Sequence, residues 1–425
     1  MDDRRETSGE PEVSVRFHFV FGIFLVVLGM LASFLLHLFP LSSPIVQSLE
    51  NTVIDVFFLV SGGTQSKDVV IVEINDDDYG SLFDRVSPLK QPVVRDLIEA
   101  IAFSGAHVVG IDLDTSAWKT SYDAGKAFEA CAAQVPPLDC DPQLRFVWAL
   151  NGDVNKPPGP TIAKELAGTG TRDCQAVPAL LVDRDGIVRR YLDAVSTNTG
   201  DVKRSMGTAV AHGCKELSTE TSDHEDRKPR WINFSQGTAG FLHLDATTVL
   251  QASKVPGWRA NNPLRTARFV LLGGTYPEAR DTYVTPLGNL NGVDVLAFTV
   301  RGELGHLEEY AYPPLELMLG VFLLWITWRT RHHRILSWLA PWLAIPFLAV
   351  ISYAVLVGFG YFASFVSVAV GVVFEHLFEF YYKHNKLQED HQALQRDYRR
   401  LLADRATTPD SGTVEYVALR VDIES

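Results

Sequence analysis

Basic residues are in the minority: 38 Lys and Arg stand against 51 Asp and Glu, a formal charge of −13. That balance excludes a nucleic-acid partner, because phosphate contacts need clustered Lys and Arg. Cysteine is scarce, and all four, Cys131, Cys140, Cys174 and Cys214, fall in one central stretch. No two of them have zinc-ligand spacing. The chain also lacks a GxSxG elbow, an HExxH pair and a GxxxxGK[ST] loop, the marks of common hydrolases, metalloproteases and P-loop NTPases. No catalytic residue and no cofactor is therefore expected.

What the chain does have is apolar sequence in long blocks. From Phe17 to Phe39, 23 residues carry no formal charge, and at 1.5 Å of rise each they outspan a hydrocarbon core of about 30 Å. Further apolar blocks occupy about 310–328, 335–357 and 359–374, the last continuing as helix to 380. Four membrane helices are predicted. A cleaved signal peptide is the alternative for the first, but its length and the absence of a small-residue cleavage pattern argue against that.

Flanking charge orients these helices. Arg16, the Arg329, Arg331 and Arg334 turn, and Lys383 with Lys386 fall on one side. Residues 40–66, 302–312 and the Gly358–Gly360 turn hold no Lys or Arg and fall on the other. The positive-inside bias then predicts cytoplasmic termini (1–16 and 381–425) and an extracytoplasmic block at 40–309. With all four thiols on that oxidising side, disulfides Cys131–Cys140 and Cys174–Cys214 are favoured by sequence proximity, and four buried thiols are the alternative.

The external block reads as α/β. "SPIVQSLENTVIDVFFLVSGG" has helical spacing, "DVVIVEIN" (Asp68–Asn75) the character of a buried strand, "QPVVRDLIEAIAFSGA" that of a helix and "HVVGIDLD" a second strand. Strand, helix, strand in this span predicts a right-handed parallel unit. Proline-rich sequence from Trp118 to Pro160 reads as loop. Asp185–Gly186 marks a hairpin, "RSMGTAVAHGC" a helix, "RWINF" and "ARFVLLGG" strands, and "NGVDVLAFTVRGELG" returns the chain to the membrane.

The candidate ligand-binding residues stand where strands end: Asp112 and Asp114, Gly273 and Gly274, Asp281, and Arg189 after the hairpin. Paired carboxylates can bind a cation or exchange protons, paired glycines let a ligand approach backbone amides, and arginine meets anions. The bland alternatives are turns and helix caps, for which Asp and Gly are equally suited.

The series "DVVIVEIND", "GAHVVGIDL", "DRDGIVRRYL", "WINF", "FVLLGGTYPEARDTYVTPL" and "NGVDVLAFTV" resembles the second class of CHASE-type domains over about residues 45–305. The resemblance implies an extracytoplasmic sensor of bacterial cyclases, diguanylate cyclases and kinases, with one span before it and three after. Leu296 stands where that family usually has histidine.

Beyond the fourth block, Phe380, Leu387, Leu394 and Leu401 recur every seven residues, with His384, His391 and Tyr398 at the second seam position. A helix over 381–405 that pairs with its own copy is predicted, a homodimer seam, with a lone solvated helix as alternative. The end, within 406–425, resembles the first strand of class III nucleotide cyclases, which implies a metal-holding role for Asp422 in an output domain. The expectation is a receptor at the bacterial cell membrane with an extracytoplasmic ligand and a cytoplasmic cyclase or kinase output. An envelope hydrolase and a scaffold or transport component are the rivals.

Overall fold

A computed structural model describes residues 44–63, 65–115, 144–150, 174–196, 202–213, 229–235, 240–255, 258, 262–305, 334–359, 362 and 365–407. Two compact units emerge: one combines Leu36–Met318 with Pro346–Val366, the other Met1–Leu35, Leu319–Ile345 and Ser367–Ser425.

The first unit opens with helix α1 (Pro44–Val60), then β1 (Val69–Ile74), α2 (Asp76–Ser81), α3 (Gln91–Phe103) and β2 (Val108–Asp112). β3 (Arg145–Ala149) and β4 (Cys174–Ala176) continue the sheet. A hairpin of β5 (Leu180–Val182) and β6 (Val188–Leu192) follows, then a ribbon of β7 (Ala194–Ser196) and β8 (Val202–Arg204), α4 (Met206–His212) and β9 (Pro229–Trp231). The last part holds β10 (Leu242–Asp245), α5 (Ala246–Ala252), α6 (Pro263–Thr266), β11 (Phe269–Gly274), the hairpin β12 (Thr282–Thr285) and β13 (Gly288–Asn291), and α7 (Gly292–Gly305).

Six strands form one sheet in the order β10-β1-β11-β2-β3-β4, every pair parallel. β1 and β11 are buried along nearly their whole length, and each opens with a run of four apolar residues. One face carries Val70, Val72, Ile74, Val109, Ile111, Val270 and Leu272 against Val94, Leu97, Ile98 and Ile101 of α3 and Val249 of α5. The other face is covered by α4 and α7. These two helices cross closely because Gly207 has no side chain where a Cβ would collide with Thr299.

α7 runs back along the sheet, from the carboxyl ends of the strands to the amino edge. Val293, near its start, lies beside Gly273 at the end of β11, and Arg301, near its finish, feels the charge of Asp68 just before β1. α1, the segment with helical spacing, packs into the unit: Phe58 is buried against Phe234, which meets Phe298 of α7.

Two further helices follow, α8 (Arg334–Phe359) and α9 (Val366–Thr407). α8 coincides with the predicted third span. Among the described residues no helix is long and apolar enough to cross a membrane. The first and second predicted spans lie outside the described residues. α9 merges the end of the predicted fourth span and the exit helix into one element with no break at 380.

Candidate functional site

Strand register lays four residues in a row at the carboxyl edge of the sheet. Glu73 of β1 is level with Asp245 of β10 on one side and Gly273 of β11 on the other, and Gly273 is level with Asp112 of β2. Level residues of a sheet project to one face. Three carboxylates are thus gathered at the end of an open parallel sheet, where such sheets bind ligands.

Asp281 reaches the same place from beyond β11. Its carbonyl accepts the Gly292 N–H at 2.8 Å, and its carboxylate lies so close to Gly292 that a Cβ there would collide with it. The start of α7 is thereby seated on an acid. Burial pushes the Asp112 carboxyl up to about 7, and the charge of Asp281 adds to the effect. Asp112 keeps a minor part of its surface open, but protein crowds its carboxyl. Asp281 is itself raised by burial, against a hydrogen bond with Tyr283. Burial and Asp281 in turn raise the Tyr283 hydroxyl. Two carboxyl groups in this position hold a proton more readily than carboxylates in water.

A second cluster adjoins the first. His243 of β10 places Nδ1 3.4 Å from Glu73 Oε2 and Nε2 3.4 Å from Asp294 Oδ1. The hydrogen bond to Glu73 raises the imidazole above its ordinary value despite burial, helped by the charges of Asp294 and Glu73. Glu73 is lowered by the same bond, against burial, with help from Thr275. Asp294 is raised, because its burial outweighs the imidazole charge. Among the described residues no group of three or more His, Cys, Asp or Glu is placed to hold a metal ion.

Loops around this edge are strained and pinned. Asp84, Arg85 and Arg280 adopt left-handed backbone at φ 54°, 55° and 52°, a conformation that costs a non-glycine residue on the order of 1 kcal/mol. Arg85 forks onto Asp76 at 3.0 and 2.8 Å and reaches toward Glu278, and the Tyr79 and Tyr276 rings stack at 4.1 Å. Asp78 is buried as a double cap: it accepts the Ala246 and Thr247 amides that open α5, while the Asn75 side chain accepts its own amide.

The fold therefore brings Asp112, Gly273, Gly274 and Asp281 together. Gly273 and Gly274 are the last residues of β11 rather than a turn, and the room beside them is filled by Val293 and the Tyr276 ring. Asp114 lies two residues past β2 and is exposed. Arg189 lies elsewhere. It is buried, with its guanidinium forked onto Asp55 of α1 at 2.8 and 2.7 Å and held by Asp183 and Asp185. Leu387 and Leu394 are 68% and 71% exposed on α9. Leu401 follows on that helix, its side chain outside those described, as is that of Cys174 at the start of β4. Cys131, Cys140, Cys214 and Asp422 lie outside the described residues.

Sequence reasoning missed Glu73, His243 and Asp294. The alternating "FLHLDA" that places His243 on an edge strand was the available signal.

The CHASE2 domain family matches the chain over residues 25–343. The chain belongs to that family. CHASE2 is an extracellular sensor domain family, so the parallel sheet and its acidic edge belong to a sensor. No curated protein and no solved structure matches the chain. Leu296, at the family's usual histidine position, is buried in α7.

Proposed function

We propose that this chain is the membrane-anchored sensing half of a bacterial signal-transduction protein, with the carboxyl edge of the sheet as its ligand face. The observation that carries this reading is the course of α7. It starts against Asp281 and Gly273 at the acidic edge and finishes near Asp68 at the opposite edge, ahead of the predicted second span in sequence. A ligand that neutralises or displaces the acids acts directly on the start of this helix. The electrostatics favour a ligand bearing hydrogen-bond donors or positive charge, since acids outnumber the single imidazole there.

In this reading four helices cross the cell membrane, both termini are cytoplasmic, and α9 pairs with a second copy through Leu387, Leu394 and Leu401. The paired helix hands the signal to a nucleotide cyclase or kinase. Placement of Pro346–Val366 in the same compact unit as residues 36–318 supports the orientation, because the predicted Gly358–Gly360 turn belongs on the extracytoplasmic side. Reporter fusions at Gly159 and Asp410 test the topology: opposite-side signals are expected, and matching signals contradict it. Hydrolysis by the purified full chain of ester, phosphate or glycoside reporters, lost in Asp112→Asn, would favour the envelope-hydrolase rival instead.

A further inference from the structure

Two buried polar clamps meet on a single strand. Arg189 and Tyr191 are two residues apart on β6, so both side chains leave the same face. Arg189 holds Asp55 of α1, 134 residues away in sequence, at 2.8 and 2.7 Å. Tyr191 donates its hydroxyl to Glu303 of α7 at 2.6 Å, 112 residues away. Glu303 is buried, and Thr208, His212 and Arg230 complete its shell at 2.9, 2.9 and 3.2 Å. Burial works to raise the Glu303 carboxyl, but Tyr191, Arg230, Thr208 and His212 together leave it below its ordinary value.

α1 and α7 are the helices on the two chain connections of the sensor, one following the predicted first span and one preceding the second. α1 also carries an outward contact. Phe57, two residues past Asp55, meets the Tyr353 ring at 5.5 Å and the Phe362 ring at 6.3 Å, on either side of the predicted turn between the third and fourth spans. A path of direct contacts thus runs from Glu303 through Tyr191 and Arg189 to Asp55, and along α1 to Phe57, Tyr353 and Phe362.

We propose that β6 is a rigid coupler: its Arg189 and Tyr191 clamps lock α1 to the end of α7, so that a shift of α7 displaces α1 and the segment around Tyr353 and Phe362. Buried, fully bonded polar groups suit this task, since each clamp has one well-satisfied arrangement and loses its bonds if either helix slides alone. The inference rests on the sensor reading for the direction of signalling, while the coupling is a property of the fold.

The test is hydrogen exchange on the full chain in detergent or nanodiscs, without ligand. Tyr191→Phe removes one hydroxyl and keeps the ring. It is expected to speed exchange several-fold at residues 296–305 of α7 and also in α1, while β1 and β11 stay protected. Acceleration confined to α7 would overturn the coupler. Should Tyr191→Phe leave too little folded protein, Arg189→Lys, which keeps the charge but not the fork, is expected to loosen α1 and the end of α7 together, and loosening of α1 alone would overturn it. In a cycle of Tyr191→Phe with Asp55→Asn, the unfolding constants are expected to depart from multiplicativity by at least about threefold, and simple multiplicativity counts against the proposal. Because no ligand is present, failure here leaves the sensing site untouched.

Discussion

The two ends of α7 treat carboxylates in opposite ways. At its start, Asp112 and Asp281 are crowded together with few donors, and both are pushed toward their protonated forms. At its finish, Glu303 is buried too, yet stays on the ionised side, because four donors surround it. Burial alone does not decide the state of an acid; the supply of donors does. An under-satisfied pair is the arrangement that a ligand can complete, whereas a saturated carboxylate fixes structure.

The saturated end should give the largest effect when broken. Glu303→Ala leaves the buried Tyr191 hydroxyl without its acceptor and takes one partner each from Thr208, His212 and Arg230, which keeps Asp193, a loss of about 2–4 kcal/mol by chemical denaturation. Glu303 lies below its ordinary value of 4.5, so its contribution is present above that pH and lost as pH falls through the folded value. An acid-side fall in stability that is unchanged in Glu303→Gln would erase the contrast between the two ends.

At the other end the sign reverses. Asp112 is raised from 3.8 to about 7, so its penalty begins near 3.8 and is complete above 7. Asp112→Asn should therefore stabilise the chain at pH 8, by up to about 4 kcal/mol from the shift alone, and change little at pH 3.5. Equal effects at both pH values would mean that the acid pair is not strained.

The next effect sharpens the comparison with the tail. If the α9 seam is paired, each leucine contributes on the order of 1–2 kcal/mol of association, and Leu394→Ala with Leu401→Ala should lower crosslinking between tails while the melting of the sensor unit is unchanged. Undiminished crosslinking would leave α9 a solvated single helix. The smallest effect is that of His243. Its value is raised above 6.5, so its stabilisation is full below that pH and fades as pH rises through the folded value. Exposure of a third of the side chain limits it to well under about 1 kcal/mol. Comparison of melting at pH 5.5 and 8.5 for the natural chain and His243→Gln should show this slope vanish in the variant.

Much of the sensor was legible because its signals are local. β1, α3, β2, α4 and β11 announce themselves through apolar runs or helical periodicity, and Asp185–Gly186 marks the β5–β6 hairpin. β3 escaped because "RFVWA" is a short run within proline-rich sequence, and β10 because four residues of alternating exposure on a sheet edge carry little signal. The site was half legible for a topological reason. In a parallel sheet all strand ends meet along one edge, so acids at strand ends, such as Asp112, are brought near Asp281 without any knowledge of strand order. Strand order was needed to bring His243 to Glu73, and helix packing to bring Asp294. Arg189 was read as a site for an anionic ligand; in the fold its partners are the protein's own carboxylates, and one lies on α1, too far along the chain for any sequence window to reveal.

The central claim is that the acid pair at the start of α7 faces the ligand. Native mass spectrometry of the full chain purified from its own membrane, beside an Asp112→Asn, Asp281→Asn variant with the same circular dichroism, tests it directly. The account predicts a small molecule bound to the natural chain and absent from the variant. A molecule retained by both, or a natural chain that carries none, would contradict it.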